Sequence, residues 1–317
     1  MRVLARTLTA AVGVGLLLVH AAVAVAWFVG LQWLLANPPG PATIAVAFLG
    51  VVVVAGYVGY RTGTVRLVAS LDAVTIPVER APALYRRLER LCSESQVDQP
   101  TLLFADLGAP NALSIGGPRR GVVVLDRRLF KLLTIDELEG ILAHELAHME
   151  RLDTLWNTLA LTAARLLVGA AFALLFPAVV LLAGVERGGA WIAGEPGRSR
   201  LGLAGYVRQV VLLGLGALFS LFALGFLAYS RRQEFAADQR AAELTGNPRA
   251  LAAALAKIHR ATTPREGLLA VLYIHDDRTE HRDRRLSTHP PIDERIDRLL
   301  ANREVSPSER VSRLRPR

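Results

Sequence analysis

The chain alternates between long uncharged apolar runs and segments of mixed polarity. From Thr7 to Tyr60 it contains no Asp, Glu, Lys or Arg. A helix needs roughly 20 apolar residues to cross a bilayer, so this run is long enough to cross twice. The prolines of "NPPGP" at Asn37–Pro41 stop a helix and favour a turn. The pattern predicts membrane spans at about residues 9–35 and 42–60.

A second pair of apolar runs follows later in the chain. Leu166–Val185 and Val210–Ser230 are uncharged, and Glu186–Gln209 connects them. An arginine at the centre of a span costs roughly 2.5–3.5 kcal/mol, so the third span is expected to begin after Arg165. Two alternatives stay open. The first run can be a cleaved signal peptide, and the second pair can be two buried helices of a soluble bundle.

Between the two pairs the sequence predicts a mixed helical and extended segment. Ala81–Cys92 repeats apolar residues at helical spacing. "TLLFAD" and "GVVVLD" are typical of short strands, and "PNALSIGGPRRG" between them predicts a turn-rich hairpin. After the fourth span, Asn247 is predicted to cap a helix that has Pro248 at its first position.

Composition and charge agree with a membrane protein. Hydrophobic residues make up 52% of the 317 residues and the mean hydropathy is +0.34, which is too apolar for an ordinary soluble domain. The net charge is +9, mostly from arginine. The arginines lie beside apolar runs and near the C-terminus, without an aromatic-interleaved basic patch. We therefore expect a lipid bilayer and no nucleic acid as a partner.

The distribution of arginine also predicts an orientation. Arg2 and Arg6 precede the first span, and Arg61 and Arg66 follow the second. The positive-inside rule then places the N-terminus and the segment after Arg61 in the cytoplasm. The arginines between the third and fourth spans disagree with this assignment. The single cysteine, Cys92, excludes an internal disulfide framework and a thiol-based zinc site.

The segment "ILAHELAHMERLD" carries the most specific chemistry. A capping-box pattern from Thr134 to Glu137 marks the start of its helix. Residues four apart share a helix face, so His144 and His148 would project side by side and suit a tetrahedral zinc ion. Glu145 would reach a zinc-bound water as general base. An ordinary amphipathic helix with two histidines is the alternative.

A third ligand distinguishes these interpretations. The extended metzincin pattern requires glycine and histidine where this chain has Arg151 and Thr154, so that subclass is excluded. "RRQEFAADQR" supplies Glu234 and Asp238 on one helix face. Glu234 can ligate zinc while Asp238 orients a ligand imidazole. Two spans between His148 and Glu234 would return the chain to the same side of the membrane. A solvated charged helix end is the alternative.

These motifs, in this order, resemble the HtpX-type membrane zinc metalloproteases, a group related to the CAAX prenyl proteases. The resemblance rests on "PNALSIGG", "LEGILAHELAHMERLD", "SRRQEFAADQ" and "STHPPIDERI" and covers most of the chain. It implies one zinc ion per chain held by His144, His148 and Glu234, with Glu145 as the base. Gln233 departs from the pattern, because relatives often carry arginine there.

Three further residues have weaker support. His289 in "STHPP" can stabilise an oxyanion, or can be a histidine held in a Pro-rich helix entry. Arg295 matches the family's arginine and can support substrate, or can be a surface arginine. Asn111 lies in the hairpin expected to form the edge strand of a cleft, where an extended substrate could add as a strand. Its alternative is a turn residue after Pro110.

The sequence thus predicts a mainly α membrane protein with four transmembrane helices and a cytoplasmic α+β zincin-type peptidase domain. Residues 1–60 and 154–230 would hold the membrane pairs, and residues 61–153 and 231–317 the two halves of the peptidase domain. The resemblance implies a multi-pass endopeptidase of the inner membrane, with a stress-related quality-control role on misfolded or damaged membrane proteins. A CAAX-type prenyl protease and a non-catalytic zinc-stabilised scaffold are the rivals.

Overall fold

The computed structural model describes residues 2–36, 39–195, 202–262 and 290–301. The helices and strands of these residues are α1 Arg2–Leu35, α2 Pro41–Ser70, β1 Val74–Thr75, α3 Pro82–Ser95, β2 Thr101–Ala105, β3 Ala112–Gly117, β4 Arg120–Asp126, α4 Leu129–Leu132, α5 Ile135–Glu150, α6 Asp153–Ile192, α7 Leu203–Thr245, α8 Pro248–Thr262 and α9 Ile292–Ala301. A short 3-10 helix, Val78–Arg80, precedes α3.

Four of the described helices are long and apolar enough to cross a membrane. They are α1, α2, α6 and α7, whose most apolar windows have mean hydropathies of 2.3, 2.2, 2.7 and 2.5. The four predicted membrane helices are therefore confirmed. Two of them extend well past the predicted spans: α6 begins at Asp153 and continues through Pro177, and α7 continues to Thr245. These extensions carry polar residues of the candidate site.

The chain forms two compact units. The described residues within 1–53 and 161–223 form the apolar unit, and those within 54–160 and 224–317 form the site unit. The domain boundaries predicted from the sequence remain a prediction.

Within the apolar unit, α1 packs antiparallel to α6. The indole Nε1 of Trp27 donates to the carbonyl of Ala173 at 2.9 Å, and Gly13 lies against Gly188. A Cβ at Gly13 would lie 2.6 Å from the Gly188 carbonyl oxygen, so neither glycine has room for a side chain. Close backbone approach at small residues is typical of helix packing in membranes.

This packing differs from the topology predicted from the arginines. Four alternating spans that start in the cytoplasm would put the start of α1 and the end of α6 on opposite faces. In the apolar unit these two ends are neighbours, because Gly13 contacts Ile192. Charge bias orients spans during insertion, whereas small residues decide which helices pack together. For α1, the orientation predicted from the arginines therefore disagrees with its packing against α6.

The site unit contains a four-stranded sheet with the order β1-β2-β4-β3. β2 and β4 are parallel, and β3 runs antiparallel to β4 at the edge of the sheet. The predicted turn-rich hairpin needs correction, because most of that segment is strand. Its register pairs Ile115 with Val122 and leaves only Pro118 and Arg119 for the turn. The edge-strand position expected for this segment is confirmed.

Helix α5 lies at the centre of the site unit. It packs with α3, α8, β3 and β4, and most of its residues are buried. Leu142 and Leu146 are fully buried beside Leu88, Leu91 and Leu251 from the neighbouring helices. A helix that is covered on most of its faces holds its side chains in fixed positions. The "HELAH" segment is therefore part of the core of this unit.

The start of α5 is fixed as the sequence predicted. The Thr134 amide donates to Glu137 Oε2 at 2.8 Å, and the Glu137 amide donates to the Thr134 hydroxyl, which completes the capping box. The buried Glu139 carboxylate accepts from Arg87 and Arg90 of α3. Asn247 also caps α8 as predicted, since its Oδ1 accepts from the Ala250 amide at 3.2 Å.

Glu137 couples this capping box to α8 and makes stability depend on pH. Burial raises the pKa of Glu137, but Lys257, whose Nζ lies 2.7 Å away, and Thr134 lower it below the ordinary value. A carboxyl with a lowered folded-state pKa stabilises the fold above its unfolded pKa of about 4.3. That contribution is lost as the pH falls through the folded-state pKa.

We expect Glu137→Gln to lower stability by roughly 1 kcal/mol at pH 7, because it removes a charge-assisted hydrogen bond and keeps the cap. Thermal melts of both proteins in detergent at pH 7, 5 and 3.5 would measure the difference, which should shrink as the pH falls. Lys257→Met should show the same trend. A difference that stays constant between pH 7 and 3.5 would contradict the assignment.

Candidate metal centre

Three potential ligands from α5 and α7 converge in the site unit. His144 and His148 stand one helical turn apart on the same face of α5, and their Nε2 atoms are 3.2 Å apart. The Glu234 carboxylate of α7 lies 3.6 Å from His144 Nε2 and 3.9 Å from His148 Nε2. One donor atom from each of the three residues lies within 4.8 Å of the others. This set of two imidazoles and one carboxylate suits a tetrahedral zinc ion with one open position.

An aspartate lies beside each imidazole. His148 Nδ1 lies 2.8 Å from Asp153 Oδ2, and His144 Nδ1 lies 3.0 Å from Asp238 Oδ1. A carboxylate beside Nδ1 holds the proton there, which leaves Nε2 with a lone pair. Both Nε2 lone pairs then point toward one place beside Glu234. Two lone pairs facing each other at this distance repel unless a cation lies between them, so these residues fit a metal ion.

A tight turn brings Asp153 back to His148. Helix α5 ends at Glu150, and Leu152 adopts φ of +57°, a left-handed conformation that costs a residue with a side chain roughly 1–2 kcal/mol. This turn lets α6 begin at Asp153 with its carboxylate beside α5. Gln233 of α7 is buried and donates from Nε2 to Asp153 Oδ1 at 2.9 Å. Each Asp153 oxygen thus has a partner.

Arg295 of α9 is the buried cation of the site. Its guanidinium donates to both carboxylate oxygens of Asp238 at 2.7 Å and lies 3.0 Å from Glu234 Oε2. Burial lowers the pKa of Arg295, but Asp238 and Glu234 raise it more, so its pKa lies above the ordinary value. Arg295 therefore holds the third potential ligand and the partner of His144 in one arrangement.

The charges of the site also fit a divalent cation. Among the described residues of the site, four carboxylates are buried, those of Glu145, Asp153, Glu234 and Asp238, but only one guanidinium, that of Arg295. Buried charges are costly unless they are paired or bind a metal. Burial lowers the pKa of His148, whereas Asp153, Glu145 and Glu234 raise it above its ordinary value. A zinc ion must therefore compete with protons for His148, and its affinity should weaken in acid.

The three potential ligands open onto a cavity of about 790 Å³ in the site unit. The side chain of Glu145 lines it next to the two histidines, and residues 109–114 at the start of β3 form another part of the wall. Leu255, Ile258 and Ile292 add an apolar side. The cavity can hold an extended segment of polypeptide against the potential ligands.

The structure brings most of the predicted site residues together. His144, Glu145, His148, Glu234, Arg295 and Asn111 line the cavity, and Asp238 contacts His144 from behind. His289 lies outside the described residues. Sequence reasoning missed Asp153 as the partner of His148, and it treated Gln233 only as a departure from the family pattern. The only signal for Asp153 was its place directly after the motif in "HMERLD".

The contact between Asp153 and His148 leads us to expect that Asp153 contributes to zinc binding. Asp153→Ala should weaken zinc binding by about 10- to 100-fold, because it removes the group that orients a ligand imidazole. Titration of the metal-free protein in chelator-buffered zinc would measure this change. Asp293→Ala, which removes an exposed carboxylate from α9, is the control. Equal zinc affinity in the two variants would rule out the orienting role.

The fold and the site together define a helical membrane protein whose central helix carries an HExxH motif beside a glutamate of a second helix. Residues 79–303 match the sequence profile of Peptidase family M48. That match covers more than half of the chain, and the chain belongs to this family. The resemblance seen in the sequence motifs is therefore confirmed.

Two sequence relatives support the same assignment. The "Protease HtpX homolog" of Pyrococcus abyssi is 33% identical over 236 residues, which cover 72% of this chain and 76% of the relative. The protein of the same name from Halobacterium salinarum is 30% identical over 303 residues, or 88% and 94% of the two chains. The crystal structure of S. mikatae Ste24p aligns with a TM-score of 0.47 and 17% identity over 92% of this chain and 63% of that chain.

Proposed function

We propose that the chain is a zinc-dependent membrane endopeptidase that cleaves misfolded or damaged membrane proteins. The observation that carries this proposal is the convergence of His144, His148 and Glu234, with Glu145 beside them in the same cavity. The family supplies the class of enzyme. The ligand set, the choice of zinc, the endopeptidase activity and the quality-control role are the parts we propose.

In this mechanism Glu145 moves the proton. Zinc held by His144, His148 and Glu234 would polarise a peptide carbonyl and lower the pKa of a water molecule to roughly 7. Glu145 follows His144 directly in α5 and is buried, so its carboxylate is held beside this place. It accepts the proton of the attacking water and delivers it to the leaving amine.

The edge strand β3 offers a place for the substrate backbone. The Asp126 amide donates to the Asn111 carbonyl at 2.9 Å, which makes these residues a hydrogen-bonded pair of the ladder. Because such pairs alternate along antiparallel strands, the backbone groups of Ala112 and Ser114 face the open edge. A substrate can add there as a further strand. Asn111 Oδ1 accepts from the Ala112 amide at 2.9 Å, so the Asn111 side chain occupies the first backbone donor of this open edge.

Arg295 and His289 have different places in the proposal. The Arg295 guanidinium is occupied by two carboxylates, so we propose that it positions Glu234 and Asp238. His289 is proposed, on the family resemblance alone, to hold the oxyanion.

We also propose that the site unit faces the cytoplasm at the inner membrane, because Arg61 and Arg66 follow the apolar run of α2 and Arg231 and Arg232 follow that of α7. Cys92 is buried and burial raises its pKa to about 11, so it should react slowly with maleimides. Ser93→Cys places an exposed thiol on the same helix. In spheroplasts an impermeant maleimide should leave this thiol unlabelled until the membrane is broken. Labelling of this thiol in intact spheroplasts would show that the site unit faces the periplasm.

The test of the proposed function is metal-dependent cleavage. The purified chain should contain about one zinc ion, cleave an unfolded test protein, lose activity on chelation and regain it with zinc. A prenylated peptide assayed in parallel addresses the CAAX-type alternative. Zinc at one per chain with no cleavage of either substrate would favour a zinc-stabilised scaffold.

A further inference from the structure

The cavity has one wall made by the two helices that also carry apolar spans. Thr154 and Asn157 come from the first turns of α6, and Phe226 and Ser230 come from α7. Phe226 and Ser230 belong to the uncharged run 210–230, so this wall includes residues of a predicted membrane span. A polypeptide segment that leaves the bilayer would meet the site along this wall.

Asn157 is the unusual residue of this wall. Its side chain lines the cavity, yet its Oδ1 is buried without a hydrogen-bond partner among the described residues. Most buried polar atoms in folded proteins have such a partner, so an exception needs a reason. The terminal torsion of an asparagine is broad. A rotation about this torsion therefore lets Oδ1 turn toward the cavity.

The position of Asn157 in α6 relates it to the metal ligands. It follows Asp153 by four residues and therefore lies on the same helix face, about 6 Å further along. Asp153 in turn contacts His148. An extended chain rises about 3.3 Å per residue. A substrate that runs along α6 past Asp153 would place a peptide unit one or two residues from the cleaved bond beside Asn157.

A substrate drawn from the bilayer needs polar partners at this place. When a membrane helix unwinds for cleavage, its backbone groups lose their intrahelical hydrogen bonds, and lipid cannot replace them. The open edge of β3 can satisfy one side of an extended segment. The unpartnered Oδ1 of Asn157, on α6, can accept from a backbone N–H on another side.

We propose that Asn157 binds the substrate backbone, one or two residues from the scissile bond, and that the wall of α6 and α7 receives extended segments of membrane polypeptides. This inference rests on the proposed function. It assigns a binding role to a residue outside the HExxH motif and outside the set of metal ligands.

The experiment compares Asn157→Leu with the zinc-loaded wild-type protein on a cleavable peptide. The variant should raise KM about 2- to 10-fold, which corresponds to one hydrogen bond, with kcat and zinc content unchanged. Gln239→Leu removes an exposed amide of α7 outside the cavity and should change neither constant.

A backbone scan makes the test specific for binding. Each amide of the peptide is replaced in turn by an ester, which removes one N–H and weakens one carbonyl acceptor. At one position within two residues of the scissile bond, the ester should raise KM for the wild type and leave KM of Asn157→Leu unchanged. Equal ester penalties in both proteins, or a variant that behaves like Gln239→Leu, would overturn the proposal.

The same peptides can be tested for binding alone, by fluorescence anisotropy with Glu145→Gln and with the Glu145→Gln, Asn157→Leu double variant. This comparison does not depend on turnover. If the wild type fails to cleave, the peptidase proposal fails, whereas the ester-dependent difference in binding still decides the role of Asn157.

Discussion

Glu145→Gln is expected to lower the rate of peptide cleavage by about 10²- to 10⁴-fold, the contribution of a positioned general base. The amide keeps the size of the side chain but cannot accept the proton of the attacking water. The three potential zinc ligands are untouched, so the zinc content should stay near that of the wild type. Single-turnover cleavage and metal analysis of the same preparations would measure both quantities.

The control for this variant is Asp136→Asn, at the opposite end of the same helix. Its carboxylate is 56% exposed and lies on the α3 side, where it pairs with Arg87. Cleavage by this variant should stay close to wild type. If Glu145→Gln kept full activity, the base would have to be another residue. If it lost its zinc, the defect would lie in metal binding and the catalytic role would lack support.

The part of the site that lies on a single helix could be predicted from the sequence. The four-residue spacing of His144 and His148 places both imidazoles on one face in any α-helix, and the same geometry relates Glu234 to Asp238. The capping box also depends only on local spacing. These features follow from the pitch of the helix, and the structure has them where the sequence predicted them.

The contacts that join separate elements could not be predicted in this way. Asp153 meets His148 because Leu152 adopts a left-handed conformation, which a leucine rarely does. Arg295 meets Asp238 only because α9 packs beside α7, and the sequence alone equally allowed a surface arginine. The sequence predicted a turn-rich hairpin for residues 110–121, whereas pairing with β4 makes residues 112–117 a strand.

The apolar helices also combine features that could be predicted from the sequence with one that could not. Their number and approximate bounds followed from the length of the uncharged runs, because bilayer thickness sets that length. Their pairing did not follow from charge. Gly13 and Gly188 place α1 antiparallel to α6, a relation carried by two small residues 175 positions apart in the chain.

Removing the buried guanidinium is expected to have the largest effect on stability. Arg295→Met should lower the free energy of unfolding by about 3–5 kcal/mol, because it leaves Asp238 and Glu234 buried without their shared cation. For a unit of this size, that loss corresponds to a fall in Tm of roughly 10 °C. Thermal melts followed by tryptophan fluorescence in detergent would measure it.

Two variants separate the loss of the ion pairs from the loss of a side chain on α9. Arg298→Met removes an arginine one turn further along the helix, which is 56% exposed and contacts Glu294 and the ring of Phe235. This change should cost less than about 1 kcal/mol. Arg295→Lys keeps the charge but loses the two parallel hydrogen bonds to Asp238. Its loss of stability should therefore lie between those of Arg295→Met and Arg298→Met.

Zinc should change the size of the Arg295 effect in a definite direction. A bound dication would compensate the Glu234 carboxylate, so Arg295→Met should destabilise the zinc-loaded protein less than the metal-free protein. The same melts with zinc and with chelator would show this difference. Equal losses in both states would mean that the metal and Arg295 do not share Glu234, and the proposed ligand set would need revision. A loss no larger than that of Arg298→Met would remove the positioning role of Arg295.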